Sequence, residues 1–166
     1  MKILLPYRIL SYILLPVAVL IGILTAFMLM VAFANPTLLL VVFLFASVVI
    51  YVIASFIFLQ KGIDQKQPCK HALKDWIKVN AIVSIIFCVM FLAQSIFLLG
   101  NSKLLNEALQ QMITQQQSMM VLPEATYFKM LKGVLYFFLI FCSLLLPHIV
   151  LSFRILKTYG KMFMPK

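Results

Sequence analysis

The residues best able to do chemistry in this chain are two histidines, three cysteines and four carboxylates. A membrane haem needs two facing imidazoles, but His71 precedes the third long apolar stretch and His148 lies near the end of the last. At a helical rise of about 1.5 Å per residue their depths differ by roughly 15 Å, too far for two axial ligands on one iron. Cys69, Cys88 and Cys142 stand singly, without a C-x-x-C pair, and read as small buried or reduced residues. Pro147 removes a backbone donor and frees the carbonyl of Ser143, which predicts a kink beside His148. His148 then has two readings, a proton acceptor or ligand on the one hand and a partner of neighbouring hydroxyls or interfacial water on the other. With no nucleophile constellation and no carboxylate inside an apolar stretch, the expectation is a protein that is not an enzyme. It has no catalytic residue, no metal site and no cofactor to assign.

What must position these residues is a set of membrane helices. From Ile9 to Gln60 there is no Asp, Glu, Lys or Arg, and Val79 to Ser102 and Gly133 to Phe153 are equally free of charge. A helix in water needs a polar face, whereas one in hydrocarbon needs none. A span takes roughly 20 apolar residues, so the first run holds two crossings. Ala34-Asn35-Pro36-Thr37 divides them, because Pro pushes Asn35 out of the helical region. The sequence predicts an all-α integral membrane protein, a four-helix antiparallel bundle with spans at about 8–33, 37–60, 73–99 and 124–157. One membrane domain covers 1–166. Ala32-Phe33-Ala34 has the form of a signal cleavage site, but the apolar stretch before it is about twice a signal core and reads as the first span.

Cations mark the sides. Lys2 and Arg8 precede the first span, Lys61, Lys66, Lys70, Lys74 and Lys78 join the second to the third, and Arg154, Lys157, Lys161 and Lys166 close the chain. Only Lys103, Lys129 and Lys132 lie opposite, which places both termini in the cytoplasm, with a bacterial inner membrane as the expected location. The net charge of +10 is thus explained by topology before nucleic acid, and no nucleic-acid partner is expected.

Lipid offers helices no hydrophobic incentive to associate, so small residues and hydrogen bonds must hold them. The first span carries Ala18, Gly22 and Ala26 at four-residue spacing, near Ser11 and Thr25. The third carries a stripe of Asn80, Ser84, Cys88, Gln94 and Ser95 within an arc of about 120°, expected to face protein. Ser47, Tyr51 and Ser55 form a smaller stripe on the second span, and Gly133, Tyr136, Ile140, Ser143 and Pro147 share a face of the fourth. These stripes read first as packing surfaces and second as a polar path for a solute or proton.

Two surfaces outside the spans remain. Between 102 and 119 an amphipathic helix is predicted, with Leu104, Leu105, Leu109, Met112 and Ile113 as a docking face and Asn101 or Ser102 as its cap. On the other side Lys66, Lys70, Lys74 and Lys78 repeat every four residues, a stripe suited to anionic lipid, with Asp75 placed to pair with His71 or Lys78 and Trp76 as an interfacial anchor. Small multidrug exporters of this size carry a Glu in their first helix, and tetraspanin-like and claudin-like proteins carry cysteines in their outer loops. This chain has neither. The expectation is therefore an accessory or scaffold subunit whose partners are membrane lipids and other membrane subunits or itself; the alternative is a small oligomeric transporter or channel with its path along the third helix.

Overall fold

The computed structural model describes residues 3–116 and 123–163. Helix α1 is Leu4–Ala32, α2 is Leu39–Ile57, α3 is His71–Gly100, α4 is Ser102–Gln116 and α5 is Glu124–Thr158. A 3₁₀ turn, Pro36–Leu38, leads into α2, and a π-helical segment, Phe58–Asp64, extends it. The stretches Leu4–Ala32, Pro36–Asp64, His71–Gly100 and Ala125–Thr158 are long and apolar enough to cross a membrane. The break between the first two falls where Asn35 accepts hydrogen bonds from the Thr37 amide at 3.2 Å and the Thr37 hydroxyl at 2.6 Å. Pro36 follows it at the first turn, where its missing N–H is no loss.

The chain forms two compact units. The first runs to Phe87 and resumes at Leu144; the second is Cys88–Ser143.

In the first unit α1 packs on α2. Besides Ala32 at its end, its buried residues are Tyr7, Ser11, Leu14, Ala18, Ile21 and Thr25, a seam advancing by alternate steps of four and three. That alternation averages 3.5 residues per turn and keeps a straight row against a neighbour. A strict four-residue step instead drifts about 40° each time, since four residues turn the helix through about 400°. The row Ala18, Gly22, Ala26 therefore walks off the seam. Ala18 is buried, Gly22 is half-buried with a hypothetical Cβ 3.4 Å from Val49, and Ala26 is exposed. Helix α2 is buried at neighbouring positions such as Ser47 and Val48, Tyr51 and Val52, and Ala54 and Ser55, so it meets protein over a wide arc.

The lysine-bearing end of this unit is knotted by side chains from distant parts of the chain. Arg8 and Asp64 form an ion pair. The Cys69 amide donates to the Met162 carbonyl at 2.8 Å, and Phe58 stacks on Phe163 with centroids 5.0 Å apart. Gly62 has no room for a side chain there, because a Cβ would lie 2.8 Å from the Phe58 ring and 3.2 Å from Cys69 Sγ. Cys69 is consequently buried, and that burial pushes its thiol above the usual range while nearby Lys61 pulls it back.

The second unit holds the far half of α3, all of α4 and the first half of α5. Phe91 meets Phe138 at 4.8 Å between centroids, and Phe137 stacks parallel to Phe141 at 6.2 Å. The thiols of Cys88 and Cys142 lie close enough to interact, so two of the three single cysteines of the sequence are neighbours in space. Helix α4 is capped by Asn101, whose side chain accepts from the amides of Lys103 at 3.1 Å and Leu104 at 3.3 Å. Of its predicted docking face, Leu105 and Leu109 are buried, and Leu104 and Ile113 are half-buried. The two central leucines are thus covered within their own unit, while Leu104 and Ile113 keep part of the face open. The side chain of Met112 and residues 117–119 lie outside the described residues.

Helix α5 corrects a second face. Gly133, Tyr136, Ile140, Ser143 and Pro147 are all exposed. The buried positions are Tyr127, Leu135, Phe141 and Cys142 in the second unit and Leu145, His148, Ile149, Ser152, Ile155 and Leu156 in the first, a seam widened to adjacent pairs. The helix continues through Pro147, whose exposed ring leaves the next residue turned inward.

Candidate functional site

That next residue is His148, fully buried and at the centre of a polar cluster drawn from three helices of the first unit. From α1 come Tyr7 and Ser11, from α2 Tyr51 and Ser55, and from α5 His148 and Ser152. None of the six is more than 1% exposed. All six fall among the buried positions of their helices, so the faces that bury apolar residues elsewhere deliver hydroxyls and an imidazole here.

The proton positions follow from counting donors. Ser11 Oγ donates to the Tyr7 carbonyl at 2.8 Å, as a serine in a helix does when its hydroxyl bonds four residues back. Its single proton is then committed, and Ser11 Oγ can only accept from His148 Nε2, 2.9 Å away. With the proton on Nε2, Nδ1 carries a lone pair and accepts the Tyr51 hydroxyl proton at 2.8 Å. A neutral imidazole satisfies every one of these bonds. Tyr7 lies parallel to the imidazole at 4.8 Å between centroids and 7° between planes, and Tyr51 meets it edge-on at 5.6 Å. The Tyr7 hydroxyl reaches on to Ser55, donating to its carbonyl at 3.2 Å and lying 2.6 Å from its Oγ. Ser55 Oγ is 3.5 Å from Ser152 Oγ, at the limit of a bond.

The chain Tyr51, His148, Ser11 ends on a backbone carbonyl. A carbonyl oxygen accepts a proton-bearing bond but has no proton to pass on, so this row makes a poor relay and a good clamp.

The stripe on α3 behaves differently. Asn80 Nδ2 donates to the Trp76 carbonyl at 2.8 Å and Ser84 Oγ to the Asn80 carbonyl at 2.7 Å, so both bond their own helix. Asn80, Ser84, Cys88 and Ser95 are buried, but Gln94 is exposed, because one residue back from Ser95 turns it about 100° off the seam. A groove of about 370 Å³ between α2 and α3 has Ser47 and Asn80 among mainly apolar walls. Lys66 and Lys70 precede α3, Lys66 with a left-handed φ of 53°, so only Lys74 and Lys78 of the lysine stripe share a helical flank. Asp75 pairs with His71 at 3.1 Å. Among the described residues no group of three His, Cys, Asp or Glu is placed to hold a metal ion.

Sequence reasoning singled out Pro147 and His148, and it noted Ser11, Tyr51 and Ser55 as stripe residues without joining them. It missed Tyr7, which lies just outside the predicted bounds of the first span, and Ser152. The signal was available in the four-and-three spacing of 7, 11, 14, 18, 21 and 25 and of 145, 149, 152 and 156. Compared with protein-family models, curated proteins and solved structures, the chain matches none.

Proposed function

We propose that this chain is a non-enzymatic, multi-pass membrane protein that acts by association, as an accessory or scaffold subunit of a plasma-membrane assembly. Its spans would form an antiparallel bundle with both termini cytoplasmic. The observation that carries this reading is the His148 cluster. Six polar side chains that a transporter would present to a solute are turned onto one another across three helices, and the row through His148 ends on a carbonyl. Asn80 Nδ2 and Ser84 Oγ on α3 likewise donate to backbone carbonyls of their own helix. A rigid, internally satisfied set of helices is what a membrane scaffold requires.

The test is made in the native membrane. A thiol at Ser84 is expected to resist small hydrophilic reagents, while exposed thiols at Gln65 and Thr114 react from opposite sides. Photo-crosslinkers on lipid-facing α1 positions such as Leu20 and Phe27 should in parallel give one discrete higher-mass adduct. Rapid reaction at Ser84 would replace the scaffold by the conduit reading, and a lipid smear at every crosslinking position would remove association.

A further inference from the structure

We infer that a basic cleft between α3 and the end of α5 binds the phosphate of an anionic glycerophospholipid. The cleft, about 400 Å³, is lined by Lys74 and Lys78 from α3, Lys157 from α5, and Phe153, Leu156 and Gly160. All six belong to the first unit.

Three ammonium groups, two of them some eighty residues from the third in sequence, share one opening, and among the described residues no carboxylate lines it. The nearby acids have other partners, Asp64 with Arg8 and Asp75 with His71. Like charges gathered without a counter-charge repel, and an anion relieves them. Phosphate suits lysine as a compact centre that several ammonium groups can surround. One of the three is held in place: Lys74 Nζ lies 5.6 Å from the centre of the Phe163 ring, which is itself stacked on Phe58.

The wall says which kind of phosphate. Phe153 and Leu156 give the cleft an apolar side, which a free phosphate has no use for and a glycerophospholipid covers with its glycerol and upper acyl carbons. Depth agrees, since exposed Trp76 sits on α3 between Lys74 and Lys78 and indole rings collect at the level of headgroups. The lysine repeat read from the sequence is thereby divided. Lys74 and Lys78 bind with Lys157, a residue the repeat does not contain, while Lys66 and Lys70 are exposed on the preceding connection.

The experiment uses the full chain in nanodiscs of phosphatidylcholine with a minor share of phosphatidylglycerol, reading retained lipid by native mass spectrometry and thermal stability alongside. Three lysines together give on the order of a hundredfold preference for the anionic lipid. Wild type should retain phosphatidylglycerol over phosphatidylcholine. K74Q/K78Q/K157Q should lose at least about tenfold of that preference and the single cleft variant K157Q about fivefold. K66Q/K70Q, which removes solvent-screened charge, should change it less than about threefold. Equal losses in the cleft and control variants would mean diffuse surface attraction and overturn the site. If millimolar glycerol 3-phosphate protected the chain in pure phosphatidylcholine discs as well as phosphatidylglycerol does, the ligand would be a soluble phosphate and the lipid assignment would fall. K74R/K78R/K157R keeps charge and phosphate bonding, so its failure to retain lipid while folded would equally count against the cleft.

Discussion

The two units of this chain are built from the same long helices and held by opposite means. The first closes around an imidazole with directional bonds, Tyr51 to His148 at 2.8 Å and His148 to Ser11 at 2.9 Å, so that three helices share one register. The second closes around rings and thiols, Phe91 against Phe138 and Cys88 beside Cys142, with Leu105 and Leu109 of α4 laid into it. Dispersion contacts of that sort are numerous and forgiving of small rotations. Hydrogen bonds fix angle as well as distance, and a missing partner leaves a buried polar atom with a cost. The contrast is sharpest at two serines: Ser11 bridges two bonds in the first unit, whereas Ser95 in the second is buried with no partner for Oγ.

The largest effect that would break this contrast comes from charging the apolar side. L105D/L109D puts two carboxylates where the leucines are 4% and 3% exposed. A cost on the order of 3 kcal/mol or more is expected, falling on residues 88–143. Hydrogen exchange should show protection lost there and kept around Tyr7 and Tyr51; unchanged protection in 88–143 would make α4 a passive connector.

Next comes H148L, which deletes the hub and with it the bond from the Tyr51 hydroxyl and one of the two bonds of Ser11 Oγ. Thermal unfolding in mild detergent should show a loss of about 2 kcal/mol, well above the roughly 0.6 kcal/mol of an average interhelix bond in lipid. Adding Y51F should recover about half, because an absent hydroxyl carries no desolvation cost. Additive losses from the two substitutions would show that they do not act through one bond.

The smallest effect sharpens the comparison from the other direction. S95A removes a buried hydroxyl that has no partner and should leave stability unchanged or raise it by up to about 1 kcal/mol, whereas S11A should lower it. A clear loss in S95A, of the same size as in S11A, would erase the distinction between the units.

Much of the fold was legible in the sequence because hydrocarbon imposes a simple rule. Runs without charge must be helices of spanning length, and Asn35-Pro36 must interrupt the longest of them. The faces were harder to read. Small residues at a fixed four-residue step suggested a stripe through Ala18, Gly22 and Ala26, but packing follows a step averaging 3.5, which Ala26 and Gln94 do not obey. The site was legible only in pieces. His148 announced itself by its rarity and Tyr51 by its place in a stripe, yet nothing local relates residue 7 to residue 55 or residue 11 to residue 148. The π-helical turn at Phe58–Asp64 also left little trace beyond Gly62, whose requirement comes from the distant Cys69 and Phe58 atoms around it.

The first unit is discontinuous along the chain, and that has a consequence for how the protein is made. Helices α1 and α2 are synthesised while α5 is still untranslated, so for that interval Ser11 and Tyr51 lack the imidazole they bond, and Cys69 waits for the Met162 carbonyl. The early hairpin is therefore an unfinished intermediate that only the last long helix completes, and a product that stops before residue 148 never acquires the ring that ties α1 and α2 to α5.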